Sequence, residues 1–86
     1  MSYRLAFLPS AEKEWRKLGA TITKQLKKKL AERLASPRVP GDAIHGMPDH
    51  YKIKLRKAGY RLVYRVEDAV LTVIVVAIGK RERSEV

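Results

Sequence analysis

Residues 51–66, YKIKLRKAGYRLVYRV, contain the pattern that decides the fold. In the first half, apolar side chains alternate with lysines: Tyr51, Ile53 and Leu55 against Lys52 and Lys54. Successive side chains of a strand point to opposite faces of a sheet. The stretch therefore predicts a strand with one apolar face and one cationic face.

The second half predicts a partner strand over about residues 60–67, joined to the first by a turn at residues 57–59. Tyr60, Leu62, Tyr64 and Val66 lie on one side of this strand, and Arg61, Val63 and Arg65 lie on the other. In a hairpin, the basic side chains of both strands would point to a single surface.

The flanking sequence supplies the other elements. Tyr3, Leu5 and Phe7 alternate with less apolar residues and predict a first strand. Two amphipathic helices follow, for which Ser10 and Thr21 are candidate N-caps. The apolar residues of these helices recur on one face: Ala11, Trp15 and Leu18, then Ile22, Leu26, Leu30 and Leu34.

The second helix should end at Ser36-Pro37, and residues 36–49 should form a loop of a length often associated with function or mobility. A last strand, about residues 70–78, is apolar on both faces, as in a central strand, and Gly79 should end it. The order β-α-α-β-β-β predicts an α+β fold with two N-terminal helices on one face of an antiparallel sheet. The other face would be open.

The composition of the chain excludes several kinds of site and of protein. The 86 residues, 45% of them apolar, suit one domain spanning 1–86. The absence of cysteine excludes disulfides and thiolate zinc sites. With only two histidines, we do not expect a structural metal site. Neither an export signal nor a membrane-spanning stretch is visible, so we expect a cytoplasmic protein without a metal or cofactor. The net charge of +10 favours a polyanionic partner.

The open face is the first candidate site for that partner. Lys52, Lys54, Arg61 and Arg65 would form a groove for an RNA backbone, with Arg81 and Arg83 closing its far end. A solvated sheet face whose lysines prevent edge-to-edge aggregation is the alternative. The basic face of the second helix (Lys24, Lys27, Lys28 and Lys29) is explained equally well by solvation or by docking on ribosomal RNA.

Such a face has the groups that RNA cleavage requires. RNA carries its own nucleophile, the 2′-OH, and arginine stabilises the charge that develops on the phosphorus. Neighbouring cations lower the pKa of a lysine, which favours its use as a proton donor. His50, beside the basic strand, is a candidate base, although a histidine in a surface loop is the commoner case. His45 and His50 flank the turn at residues 46–49.

Several segments resemble the RelE family. The resemblance is carried by residues 13–19, KEWRKLG; 25–30, QLKKKL; 46–56, GMPDHYKIKLR; 59–64, GYRLVY; and 79–86, GKRERSEV. RelE proteins are mRNA-cleaving toxins of toxin–antitoxin pairs. The resemblance covers nearly the whole chain and implies a microbial-ribonuclease-like fold.

The resemblance also implies a function: ribosome-dependent, metal-independent cleavage of mRNA in the A site by 2′-OH attack, which inhibits translation. Lys54 would be the general acid, Lys52 would support the 2′-OH side, and Arg61 and Arg81 would hold the phosphate. Contacts to RNA or the ribosome would come from the remaining basic residues: Arg56, Arg65, Lys80, Arg83, Lys24 and Lys28. The expected partners are the small ribosomal subunit, mRNA and an acidic RelB-type antitoxin, through which the complex would bind operator DNA.

The sequence departs from the family at its end. In RelE the last motif is followed at once by a catalytic tyrosine and a short helix, whereas this sequence ends at Val86. We therefore expect a chain without the C-terminal helix and with impaired turnover. A non-catalytic RNA- or ribosome-binding module, and an interaction protein that mainly binds an antitoxin, are the alternative functions.

Overall fold

The computed structural model describes residues 2–80. Its helices and strands follow the predicted order: β1 (Arg4–Phe7), α1 (Pro9–Arg16), α2 (Ala20–Ala35), β2 (His50–Leu55), β3 (Tyr60–Glu67) and β4 (Thr72–Lys80). Two short 3₁₀ turns lie between them, at Pro40–Asp42 and Asp68–Val70. The elements form the predicted α+β fold.

The four strands form one mixed sheet in the order β1-β4-β3-β2. The predicted antiparallel pairing holds for β2–β3 and β3–β4, but β1 runs parallel to β4. The helices carry the chain from β1 to the far edge of the sheet, where β2 starts in the same direction. Two reversals of direction, at the turns after β2 and β3, then make β4 parallel to β1. A tight turn cannot join a parallel pair, and here the helices and the β2–β3 hairpin provide the long connection between β1 and β4.

The core lies between the helices and one face of the sheet. Its fully buried side chains come from α2 and the three C-terminal strands: Leu26, Leu30, Ile53, Leu62, Tyr64, Val73 and Val75. Trp15 packs against this cluster and lies 5.2 Å from Phe7 between ring centroids, as expected for a core tryptophan. β4 is an interior strand, as its apolar character predicts. Within residues 2–80, neither helix has the length and apolar character needed to cross a bilayer.

Both predicted N-caps are wrong. The N-cap positions are Leu8 and Gly19, and neither is completed by a side-chain hydrogen bond. Ser10 and Thr21 lie inside the helices. Pro9 explains the early start of α1, since its fixed φ suits the first turn and its missing N–H would have no partner there.

The core predicts the effect of truncating α2. Leu26 is fully buried, so Leu26→Ala should lower the free energy of unfolding by about 2–5 kcal/mol through lost burial and the cavity that remains. Val70 is 61% exposed, and Val70→Ala should change it by less than about 0.5 kcal/mol. Urea unfolding measures both values, and equal losses would contradict this description of the core.

Candidate nucleic-acid interface

The β2–β3 hairpin places two basic side chains side by side on the open face. Lys54 lies directly opposite Arg61, Lys52 opposite Val63, and His50 opposite Arg65. Side chains of directly opposed residues start about 4.5–5.5 Å apart at Cβ. Lys54 and Arg61 therefore point to one side of the sheet, as the alternating pattern predicts, and the apolar residues of both strands point to the other.

Small residues of β4 form the floor beside this pair. Gly79 lies opposite Arg61, and Ala77 opposite Val63. A Cβ added at Gly79 would meet nothing within 4 Å, so the space above it is open. The prediction that Gly79 ends the strand is wrong, because β4 continues through Lys80. A glycine in a strand often marks close approach by another molecule, and here it leaves room next to the Arg61 guanidinium.

Three other predicted site residues, Arg65, Arg56 and Lys80, lie in different surroundings. The Arg65 Nε donates to the Glu67 carboxylate at 2.9 Å, so a partner within its own strand balances its charge. Arg56 is exposed at the start of the β2–β3 turn. Lys80 lies opposite Tyr60, at a register position that belongs to the helix-covered face.

Two of the remaining predicted RNA-binding residues are not on the open face. Lys24 and Lys28 are exposed on α2, on the side opposite the buried Leu26 and Leu30. Since α2 covers the apolar face of the sheet, these lysines and the open face lie on different sides of the molecule. The predicted residues Arg81 and Arg83 lie outside the described residues.

His50 is the first residue of β2 and shares the open face with Lys52. Its Nδ1 lies 2.8 Å from the Pro48 carbonyl, which can only accept, so Nδ1 carries a proton. The Nε2 of the neutral ring is then a hydrogen-bond acceptor. Four residues along a strand span roughly 13 Å, so His50 is remote from Lys54, and this distance argues against a role at the same reacting atoms.

Arg33 of α2 holds β2 from the helix-covered side of the sheet, a role that sequence reasoning missed. Its guanidinium donates to the Asp42 carboxylate (2.6 Å), the Tyr64 hydroxyl (2.9 Å) and the Lys52 carbonyl (3.2 Å). Only 14% of the side chain is exposed. At the edge of an apolar helical stripe, an arginine is expected to extend to solvent. The 36–49 loop brings the Asp42 carboxylate to the same guanidinium that the two strand acceptors reach.

Tyr64 continues this network into the core. Its hydroxyl donates to the Pro37 carbonyl at 2.6 Å while accepting from Arg33. The ring stacks on Tyr51 at 5.7 Å between centroids. Burial raises the pKa of the Tyr64 hydroxyl, and the Arg33 guanidinium partly offsets that effect. The hydroxyl therefore remains protonated and ties the loop to β3.

A second network holds the other end of the loop. Arg38 donates to Asp49 (2.9 Å), Asp68 (2.7 Å) and the Tyr51 hydroxyl (3.3 Å), and Tyr3 donates to Asp68 at 2.6 Å. The Tyr3 hydroxyl and then the Arg38 guanidinium hold the pKa of the Asp68 carboxyl below its usual value. The long loop is therefore fixed at both ends against the strands.

The described part of the chain contains no cluster of three or more histidine or carboxylate side chains suited to a metal ion. The charge available at the open face is cationic. Such an arrangement can hold a phosphodiester and stabilise additional negative charge on it.

Comparison with known proteins assigns the family. The sequence model of the ParE toxins of type II toxin–antitoxin systems (parDE) matches residues 5–85. The chain belongs to the RelE/ParE toxin family. It is 60% identical over 86 residues to the mRNA interferase toxin RelE of Escherichia coli K12, a match that covers 100% of this chain and 90% of the relative. The mRNA interferase RelE of Shigella flexneri has the same identity and coverage.

Solved structures of family members match the fold closely. The isolated E. coli RelE toxin superposes with a TM-score of 0.95 at 58% identity, covering 98% of this chain and 89% of that chain. In the intact E. coli RelBE toxin–antitoxin complex, the matched chain gives a TM-score of 0.92 at 57% identity, covering 95% of this chain and 100% of that chain. The predicted RelE resemblance and fold are confirmed.

The Arg33 network predicts a stability effect. In Arg33→Lys the charge remains, but an ammonium cannot reproduce the planar fork that reaches three acceptors. Urea unfolding should show a loss of about 1–3 kcal/mol. Arg16→Lys, in an exposed pair with Glu12, should cost less than about 0.5 kcal/mol. Similar losses for both variants would contradict the assigned role of Arg33.

The Asp68 network predicts a pH dependence. The folded state lowers the pKa of Asp68, so its stabilisation is present above the unfolded value and is lost as pH falls through the folded value. Between about pH 5 and pH 3, the free energy of unfolding should fall less in Asp68→Asn than in the wild type. Glu32→Gln, at an exposed position without an ion pair in the described residues, is the control and should follow the wild type.

Proposed function

We propose that this RelE-type toxin is an endoribonuclease that cleaves mRNA in the ribosomal A site and thereby stops translation in the cytoplasm. The observation that carries the proposal is the Lys54–Arg61 pair on the open face, with Gly79 beside it. The E. coli and Shigella relatives are named as mRNA interferases, which supports the same activity.

The proposed reaction uses the 2′-OH of the RNA as nucleophile. The 2′ oxygen gives its proton to a water molecule and attacks the adjacent phosphorus, so a 2′,3′-cyclic phosphate forms as the bond from phosphorus to the 5′ oxygen breaks. Arg61 stabilises the negative charge that builds up on the phosphoryl oxygens. Lys54 donates a proton to the leaving 5′ oxygen, and Lys52 supports the 2′-OH side. In general, a fixed positive charge beside a lysine favours release of the lysine's proton.

The shape of the site supports a requirement for the ribosome. Lys54 and Arg61 lie on an exposed sheet face, so the described residues provide a wall and a floor without an enclosing pocket. Cleavage requires the 2′ oxygen, the phosphorus and the leaving oxygen to be held in line. The decoding site would supply the opposite wall and hold the mRNA in that geometry.

We further propose an acidic RelB-type antitoxin as the protein partner. The formal charge of +10 calls for a polyanionic partner, and the E. coli relative is crystallised in a toxin–antitoxin complex. Such an antitoxin would compete with RNA for the cationic surface and would link the toxin to operator DNA. Added to the assay below, it should abolish cleavage.

Lys54 variants test the chemistry. In single-turnover cleavage of mRNA on programmed ribosomes, Lys54→Ala should lower the rate by about 10²–10⁴, as expected for loss of a general acid. Lys54→Arg keeps the positive charge but provides a group that does not release its proton. It should therefore bind ribosomes like the wild type and still lose cleavage.

The outcomes separate the functions. Wild-type cleavage by Lys54→Ala would refute the assignment of Lys54, and wild-type cleavage by Lys54→Arg would mean that charge rather than proton transfer matters. Ribosome binding without cleavage, by the chain as printed and by a version with a tyrosine appended, would favour the non-catalytic RNA-binding module.

A further inference from the structure

A cationic cleft lies next to the site, around the edge of the sheet. It has a volume of about 290 Å³, compared with about 30 Å³ for a water molecule in the liquid. Its lining comes from α2, the end of β2 and the β2–β3 turn: Gln25, Lys29, Lys54, Leu55, Arg56 and Lys57. Lys54 thus belongs both to the cleft and to the open face, because β2 is the edge strand.

Three of the cations that line this cleft have no anionic partner within the described residues. Among residues 2–80, Lys29, Arg56 and Lys57 form no ion pair, and no carboxylate lines the cleft. On α1, by contrast, Arg16 pairs with Glu12 and Lys17 pairs with Glu14. Uncompensated cations in close proximity repel one another, so an anionic ligand would relieve this repulsion.

We propose that the cleft binds a phosphate of the RNA strand, next to the one held at Lys54 and Arg61. The inference rests on the proposed function and extends it, because it assigns a second backbone contact to residues outside the sheet face. An RNA strand whose scissile phosphate lies at the Lys54–Arg61 pair reaches the cleft by crossing the edge of β2. The volume accommodates a phosphate with its sugar.

The lining side chains suit this ligand. The planar guanidinium of Arg56 presents paired donors that match two phosphate oxygens, and Lys29 and Lys57 add mobile positive charge. The Gln25 amide supplies one donor and one acceptor, which suits a ribose hydroxyl beside the phosphate. An acidic protein segment would satisfy the same charges, but the shared residue Lys54 favours a strand continuous with the one being cleaved.

The salt dependence of RNA binding tests this proposal. The probe is a fluorescent single-stranded heptanucleotide with 2′-O-methyl riboses, which cannot be cleaved, and its affinity is measured by anisotropy at several KCl concentrations. Each phosphate neutralised on a single strand contributes about −0.7 to the slope of log affinity against log salt. Lys29→Gln/Lys57→Gln should flatten the slope by about 0.7, the value for one phosphate.

Two comparisons control the measurement. Lys13→Gln/Lys17→Gln removes two exposed lysines of α1 and produces the same net charge, so it should leave the wild-type slope unchanged. Lys52→Gln removes a contact of the proposed site and should flatten the slope independently of the cleft. Circular dichroism checks that each variant is folded.

A wild-type slope for Lys29→Gln/Lys57→Gln would overturn the cleft and leave the proposed function standing. Weaker binding of the variant to antitoxin alone, or to mRNA-free small subunits alone, would also overturn it, in favour of an acidic protein or ribosomal RNA. A wild-type slope for Lys52→Gln with a flattened slope for the cleft variant would support the cleft and contradict the proposed site. Absence of salt-dependent RNA binding by the wild type would overturn the cleft, whereas the proposed function depends on the cleavage assay on programmed ribosomes.

Discussion

The register between β2 and β3 is the constraint on which the site depends. Because side chains alternate along a strand, pairing shifted by one residue would turn the side chains of one strand to the opposite face. Lys54 would then face the core, and Ile53 would face water. Burial of Ile53 and Leu62, which lie opposite each other, therefore fixes the position of Lys54 opposite Arg61. The hydrophobic effect orients the cationic site, although none of the cations described in the structure belongs to the core.

The positive charge of the protein is balanced by carboxylates at some sites and not at others. On α1, carboxylates balance Arg16 and Lys17, and on β3 Glu67 balances Arg65. The cleft beside Lys54 differs, because within residues 2–80 its cations Lys29, Arg56 and Lys57 form no ion pair and no carboxylate lines it. Concentrated positive charge destabilises a small domain through self-repulsion. Part of this cost lies at the surface that we propose as the binding site of a polyanion.

The loop between α2 and β2 supports the site from behind. Arg33 connects Asp42, Tyr64 and the carbonyl of Lys52. It thus couples the loop, the core and the backbone of β2 in one partly buried network. Such networks rigidify a structure when all their members are satisfied, and no buried side-chain N or O atom within the described residues lacks a partner. A rigid edge strand is what a site built on an open face requires, because residues 2–80 provide no second wall to hold its side chains.

The sequence by itself determined the elements, the two amphipathic helices, the orientation of the basic residues on β2 and β3, and, through its motifs, the family. These features depend on local periodicity, which a single stretch of chain contains in full. The parallel pairing of β1 with β4, the burial of Arg33, the continuation of β4 through Gly79 and the cleft at Lys29 were decided only by the tertiary structure. Each of them joins residues that are distant in the chain, and the distance between such residues is set by packing of the whole domain rather than by any local pattern.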